Sequence, residues 1–203
     1  MTPLRRHALV WLSEPPQADI AGNSSVVDQW HAGGNPFVVC RQRGESDHLS
    51  LGFCLPSPGR RPRRIAAQAR RDQIVRATLP PSLEEVAAIE PDTFSRLADQ
   101  AVKSGLDVRV FGSWMWQTLT GGLHVNASSD LDVLIDVADA AGADQAVDFL
   151  RREAAECPFK LDGEISFFGL GEIHWREYLN GEPMVLVKSI ATARMVRREE
   201  LWK

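Results

Sequence analysis

Along SSDLDVLIDV, residues 128 to 137, Leu131, Val133, Ile135 and Val137 alternate with Asp130, Asp132 and Asp136. A period of two predicts a strand with one face in a core. Its other face is then a row of acids. Further strands are predicted at HALVWL (7–12), PFVVCRQR (36–43), LSLGFCL (49–55), LDVRVF (106–111), EIHWREYL and PMVLVK, with FKLDGEISFF (159–168) a strand or tight hairpin. Phe94, Leu97, Ala98, Ala101 and Val102 follow helical spacing, with Asp92 or Thr93 to cap the helix and Gly105 to end it. WMWQTLT is helix-compatible, and DQAVDFLRREAAE (144–156) is a helix stopped by Cys157-Pro158. Residues 65–78 place Ile65, Ala69 and Val75 near one stripe and are predicted helical, as is the basic C-terminal stretch SIATARMVRREELW. EPPQAD, AGN and HAGGNP read as loops, and the prolines of PSPGRRPRR (56–64) make it an exposed basic loop.

The pattern divides at Pro80-Pro81. An α+β fold is expected: a small β-rich lobe over residues 1–80, then a mixed sheet with helices over 81–203. Charge divides there too. Residues 1–80 carry 11 Lys+Arg and 6 Asp+Glu, a net of +5, whereas 81–203 carry 12 and 21, a net of −9. Such asymmetry suggests lobes with different tasks, one suited to anions and the other to cations. An apolar share of 44% and a charged share of 25% fit a globular protein. With no membrane-length apolar run and no signal-peptide pattern, a soluble, cytoplasmic protein is expected. Three cysteines without a CxxC pair suggest reduced, buried thiols. His31, His48, His124 and His174 lack ligand spacing, so zinc is not expected. A pI near 5.7 lacks the basic footprint of a nucleic-acid binder.

The candidate chemistry begins with Asp130 and Asp132, which share a strand face about 6.6 Å apart. Two such carboxylates repel and raise each other's pKa unless a divalent cation sits between them, and magnesium favours oxygen ligands of this kind. Asp136 lies roughly 13 Å beyond and reads as a solvated strand-end charge. Seventeen residues before Asp130, VRVFGS runs a strand into Gly112-Ser113 and a helix start. Gly112 admits a phosphate to the backbone, Ser113 offers a hydroxyl, and the helix dipole favours an anion. One element for phosphates beside one for metal describes nucleotidyl transfer. Trp114 and Trp116 are expected in the core rather than stacked on adenine. Lys188 and Arg176 have the reach for a phosphate, with a surface ion pair as the safer reading of each.

Strand, Gly-Ser, helix, then D-x-D on the next strand resembles the nucleotidyltransferase superfamily that includes DNA polymerase β and the kanamycin nucleotidyltransferases. FGSWMWQTLTGGLHVNASSDLDVLIDV, with RRHALVWL, PSPGRRPRR, LDGEISF and WREYL, more closely resembles the malonate decarboxylase holo-acyl-carrier-protein synthases, which are phosphoribosyl-dephospho-CoA transferases. That resemblance implies a nucleotidyltransferase-like catalytic domain at 81–203. It implies transfer of the prosthetic group from triphosphoribosyl-dephospho-CoA to a serine of the apo acyl-carrier subunit of malonate decarboxylase, with Mg2+ on Asp130 and Asp132 and release of pyrophosphate. Gly112, Ser113, Arg61, Arg64 and Lys188 become candidates for holding phosphate, and Arg60 and Arg63 lie in the same basic loop. The superfamily adds a third carboxylate. Glu164 is preferred over Asp162 because Asp162-Gly163 is also a turn dipeptide, although the superfamily's usual acid is aspartate. The segment TLTGGLHVNAS is longer than in polymerase-like members. Two alternatives use the same motifs: a nucleotidyltransferase acting on an NTP with a small-molecule, protein or RNA acceptor, and a non-catalytic carrier-binding module.

Overall fold

The computed structural model describes residues 4–42, 47–56 and 62–202. The N-terminal part holds β1 (Leu9–Leu12), β2 (Gln17–Ala18), α1 (Ser24–Ala32), β3 (Phe37–Val39), β4 (His48–Leu55), β5 (Arg63–Arg70) and β6 (Ile74–Thr78). These strands form one antiparallel sheet in the order β2-β5-β4-β3-β1-β6. Then follow α2 (Leu83–Ile89), α3 (Pro91–Lys103), β7 (Val108–Phe111), α4 (Gly112–Thr120), β8 (Leu131–Val137), α5 (Ala140–Glu156), β9 (Leu161–Phe167), β10 (Gly171–His174), α6 (Trp175–Leu179), β11 (Met184–Lys188) and β12 (Ala193–Arg197). Their sheet runs β12-β11-β10-β9-β8-β7. Only β8 and β9 are parallel among its pairs, and α5 supplies the crossover that parallel pairing requires. The fold is α+β.

Residues 65–78 form β5 and β6 joined by a 3₁₀ turn at Arg71–Gln73, rather than one helix. Ile65, Ala67 and Ala69 are buried while Ala66, Gln68 and Arg70 are exposed, and β5 pairs with β4 along its whole length. A spacing of four residues satisfies both periods, so Ile65 and Ala69 could not distinguish them. The same pairing makes Arg63 and Arg64 part of β5, not of a loop. At the C-terminus, Ala193–Arg197 pairs with β11 across five positions, and a 3₁₀ turn at Arg198–Glu200 replaces the expected helix. Cross-strand pairing overrides the helix-favouring composition there. The strand expected through EIHWREYL stops at His174, whose side chain caps the short α6. Asp162-Gly163 is no turn. Gly163 lies inside β9, where a Cβ would meet Leu150 Cδ1 at 2.9 Å, so the glycine lets α5 pack close. Between the loops read at AGN and HAGGNP, SSVVDQWHA forms α1.

One core lies under the helices of the C-terminal part, where Leu131, Val133, Ile135, Val137, Leu161, Ile165 and Phe167 pack beneath α2, α3 and α5. A second core fills the N-terminal sheet. Helix α4 serves both, with Trp114 in the first and Met115 and Trp116 in the second. That fixes the Gly112-Ser113 bend at the junction of the two lobes. The acid-bearing face of the second sheet therefore looks away from its helices and toward the N-terminal lobe. Among the described residues, no helix is long and apolar enough to cross a membrane.

Candidate active site

Strands β7 and β8 are antiparallel, with Phe111 opposite Asp132. The chain leaves β7 at that point and turns into α4, so Gly112 arrives against the Asp132 side chain. Its φ is +72°, and a Cβ there would overlap the Asp132 carboxylate. Glycine is required twice over, by conformation and by space. No side chain caps the start of α4, which leaves first-turn N–H groups and the positive end of the helix dipole for an outside acceptor. Ser113 stands in that turn.

The parallel register puts Asp132 beside Asp162, and Asp130 precedes β8 on the same side. Carboxylate oxygens of Asp130, Asp132 and Asp162 lie within 4.8 Å of one another. Lys160 Nζ donates to Asp130 at 3.1 Å and to Asp162 at 3.4 Å. His174 Nε2 lies 2.6 Å from Asp162 Oδ1, while its Nδ1 accepts from the Arg176 N–H at 3.2 Å. An accepting Nδ1 leaves the ring proton on Nε2, facing Asp162. The His174 hydrogen bond, with help from Lys160, holds Asp162 well below the usual carboxylate range. Asp132 is different. Among the described residues it has no ion pair, and burial with the nearby charges of Asp130 and Asp162 pushes its pKa up to about 7. Three converging carboxylates, one uncompensated and lying against a glycine, are hard oxygen donors of the type that binds a divalent cation.

A model of the phosphoribosyl-dephospho-CoA transferase MdcG N-terminal domain matches residues 5–80, and one of the MdcG C-terminal domain matches residues 82–199. The chain belongs to the phosphoribosyl-dephospho-CoA transferase family. Proteins named phosphoribosyl-dephospho-CoA transferase from Xanthomonas axonopodis pv. citri (strain 306) and Xanthomonas euvesicatoria pv. vesicatoria (strain 85-10) are each 37% identical to it, over 97% of this chain and 96% of theirs. One from Bradyrhizobium diazoefficiens is 33% identical over 77% of this chain and 70% of its own. No solved structure matches the chain.

In this transferase the remaining acids of the row are each neutralised from elsewhere. Glu164 stays out of the trio. It takes Lys188 at 2.9 Å, His7 Nε2 at 3.2 Å and Arg6 at 3.4 Å. Burial alone would raise its pKa, but these three partners hold it down to about 2. Arg6 also binds Glu172 at 2.9 Å. Asp136, expected as a free strand-end charge, pairs with Arg5 at 2.5 Å. His7 itself has φ +66° and lies on Phe111, ring centres 4.0 Å apart. Sequence reasoning passed over Arg5, Arg6, His7, Lys160 and the role of His174. The visible signal was RRH, two arginines and a histidine in a row before the first apolar run.

Other sequence candidates fall elsewhere. Lys188 is engaged by Glu164 rather than turned to a phosphate. Arg64 lies in β5 opposite Cys54 and makes no ion pair with the acid trio among the described residues. Arg61 lies outside those residues. Arg176 packs its guanidinium over the Trp175 ring at 4.3 Å and reaches the Leu161 carbonyl at 3.4 Å. Trp114 and Trp116 are buried in the two cores and unavailable for stacking on a base.

Proposed function

We propose that this transferase acts by nucleotidyl transfer, moving the phosphoribosyl-dephospho-CoA unit of triphosphoribosyl-dephospho-CoA onto a serine of the apo acyl-carrier subunit of malonate decarboxylase. The serine oxygen forms a bond to the α-phosphorus, the bond from that phosphorus to pyrophosphate breaks, and the hydroxyl proton is lost. The observation carrying this reading is Asp132, a carboxylate without an ion pair among the described residues, pressed against the glycine that opens α4. Asp130, Asp132 and Asp162 would hold Mg2+, which when bound offsets negative charge on the reacting phosphate. In this reading Asp162 takes the place first assigned to Glu164, because Arg6, Lys188 and His7 already claim Glu164.

The uncapped start of α4 and Ser113 grip the leaving pyrophosphate through backbone N–H groups and a hydroxyl. His174 fixes the rotamer of Asp162 through its Nε2 proton. Lys160 balances the charge of Asp130 and Asp162, and with Mg2+ bound would be free to face a phosphate oxygen. The test is direct: combine the protein, Mg2+, triphosphoribosyl-dephospho-CoA and the apo carrier subunit, and weigh the carrier by mass spectrometry. A mass gain equal to the prosthetic group, absent with EDTA, is expected. Label transfer from an ordinary NTP with none from triphosphoribosyl-dephospho-CoA would favour a nucleotide-adding enzyme instead.

A further inference from the structure

The N-terminal lobe covers only half of the acid face. Arg5, Arg6 and His7 lie over Asp136, Glu164 and Glu172. Ile190, just beyond β11, packs against the N-terminal core, and its carbonyl accepts from the Gln42 N–H at 2.7 Å. Past this cover the same face continues toward the edge of the sheet. Lys188 pairs with Glu172 and reaches Glu164, so Leu186 and Met184 share its face by strand alternation. Met195 and Arg197 of β12 stand opposite them in the register. Val185, Val187 and Val196 point the other way, into the core.

This outer part of the face is exposed and largely apolar, with Arg197 as its charged group. Met184 is 39% exposed and Met195 53%. Trp202 joins Met184 and Arg197 around a shallow depression. Arg197 meets an acid only loosely, Glu199 at 3.9 Å.

We propose that the strip formed by Met184, Leu186, Met195 and Arg197 docks the carrier protein that brings the acceptor serine. The partner it fits presents acidic and apolar side chains around that serine. This rests on the reading above, in which the acceptor is a protein side chain. Strands spaced about 4.8 Å apart put β12 roughly 19 Å from β8. A typical partner buries about 800 Å² on each side, a footprint roughly 30 Å across. One contact can therefore cover both the acid trio and the edge strip. Methionine adapts its shape to a partner, and arginine is enriched at interfaces.

Steady-state transfer by the intact protein tests it, using the single variants Met195→Glu and Arg197→Glu. The expected result is a KM for the carrier raised about tenfold or more, with kcat at saturating carrier, affinity for triphosphoribosyl-dephospho-CoA and melting temperature unchanged. An unchanged KM in these variants overturns the docking surface while the reaction itself stands. Loss of a dimer in sedimentation with KM unchanged assigns the strip to a second copy of the chain, and also overturns it. If the wild-type protein transfers nothing to the carrier, the reaction proposed above fails and this surface falls with it.

Discussion

The carboxylate of Asp132 occupies the space that a side chain on Gly112 would need. Gly112→Ala therefore imposes two costs. A left-handed backbone at a non-glycine residue costs about 1–2 kcal/mol, and the Asp132 carboxylate must move. A displacement of an ångström in a reacting assembly can cost about 100-fold in rate. Transfer by this variant is expected to fall by at least that factor, with a melting temperature a few degrees lower. Wild-type activity in a folded Gly112→Ala protein would show that Asp132 has room to spare.

The raised pKa of Asp132 makes a signed prediction about stability without metal. In the unfolded chain the group titrates near 3.8; in the folded protein, near 7. Below pH 3.8 both states hold the proton and the shift costs nothing. Between 3.8 and 7 the folded state binds more protons, so stability falls as pH rises, then levels off. Asp132→Asn removes that penalty. In EDTA at pH 8 the variant is expected to melt higher than wild type by several degrees, at about 2–4 °C per kcal/mol for a chain of this size. At pH 4 the gain disappears, and at every pH transfer is abolished. Equal melting curves at pH 8 would mean that Asp132 has a compensating partner in solution.

His174 does two jobs that substitution can separate. Its Nδ1 caps α6, and its Nε2 holds Asp162. His174→Asn keeps a capping oxygen, since asparagine is a strong N-cap residue, but its shorter side chain loses the donor to Asp162. Binding of Mn2+ to the protein, read by electron paramagnetic resonance, is expected to weaken about 10–100-fold with little change in melting temperature. Unaltered Mn2+ affinity would reduce His174 to a helix cap.

How much of this was legible beforehand differs from element to element. The period of β8 was plain, because Leu131, Val133, Ile135 and Val137 alternate with acids except at Leu134, and Gly112-Ser113 stands at a strand end as expected. Residues 65–78 misled because alanines and a four-residue spacing suit helix and strand alike, and only pairing with β4 decides between them. The partners of the acid row were beyond any local reading. Arg5 reaches Asp136 across 131 residues, and Arg6 reaches Glu172 across 166. Glu164 looked available only because Arg6, His7 and Lys188, which enclose it, are distant in sequence.

That enclosure yields the last prediction. Glu164 is buried and shared by Arg6, His7 and Lys188 across the junction of the lobes. Removing one member of a buried ionic group leaves the others uncompensated, at a cost of about 3–5 kcal/mol. Glu164→Gln is therefore expected to lower the melting temperature by roughly 6–20 °C at neutral pH, far more than any change in the acid trio. The sign with pH is opposite to that of Asp132. The folded pKa of Glu164, about 2, lies below its unfolded value of 4.5. Its stabilisation is complete above 4.5 and drains away as pH falls toward 2, so wild type and variant should converge in acid. The Glu164→Gln protein, assayed well below its melting temperature, is expected to retain Mn2+ binding, because the trio is intact. Loss of metal binding without loss of stability would return Glu164 to the metal site and remove Asp162 from it.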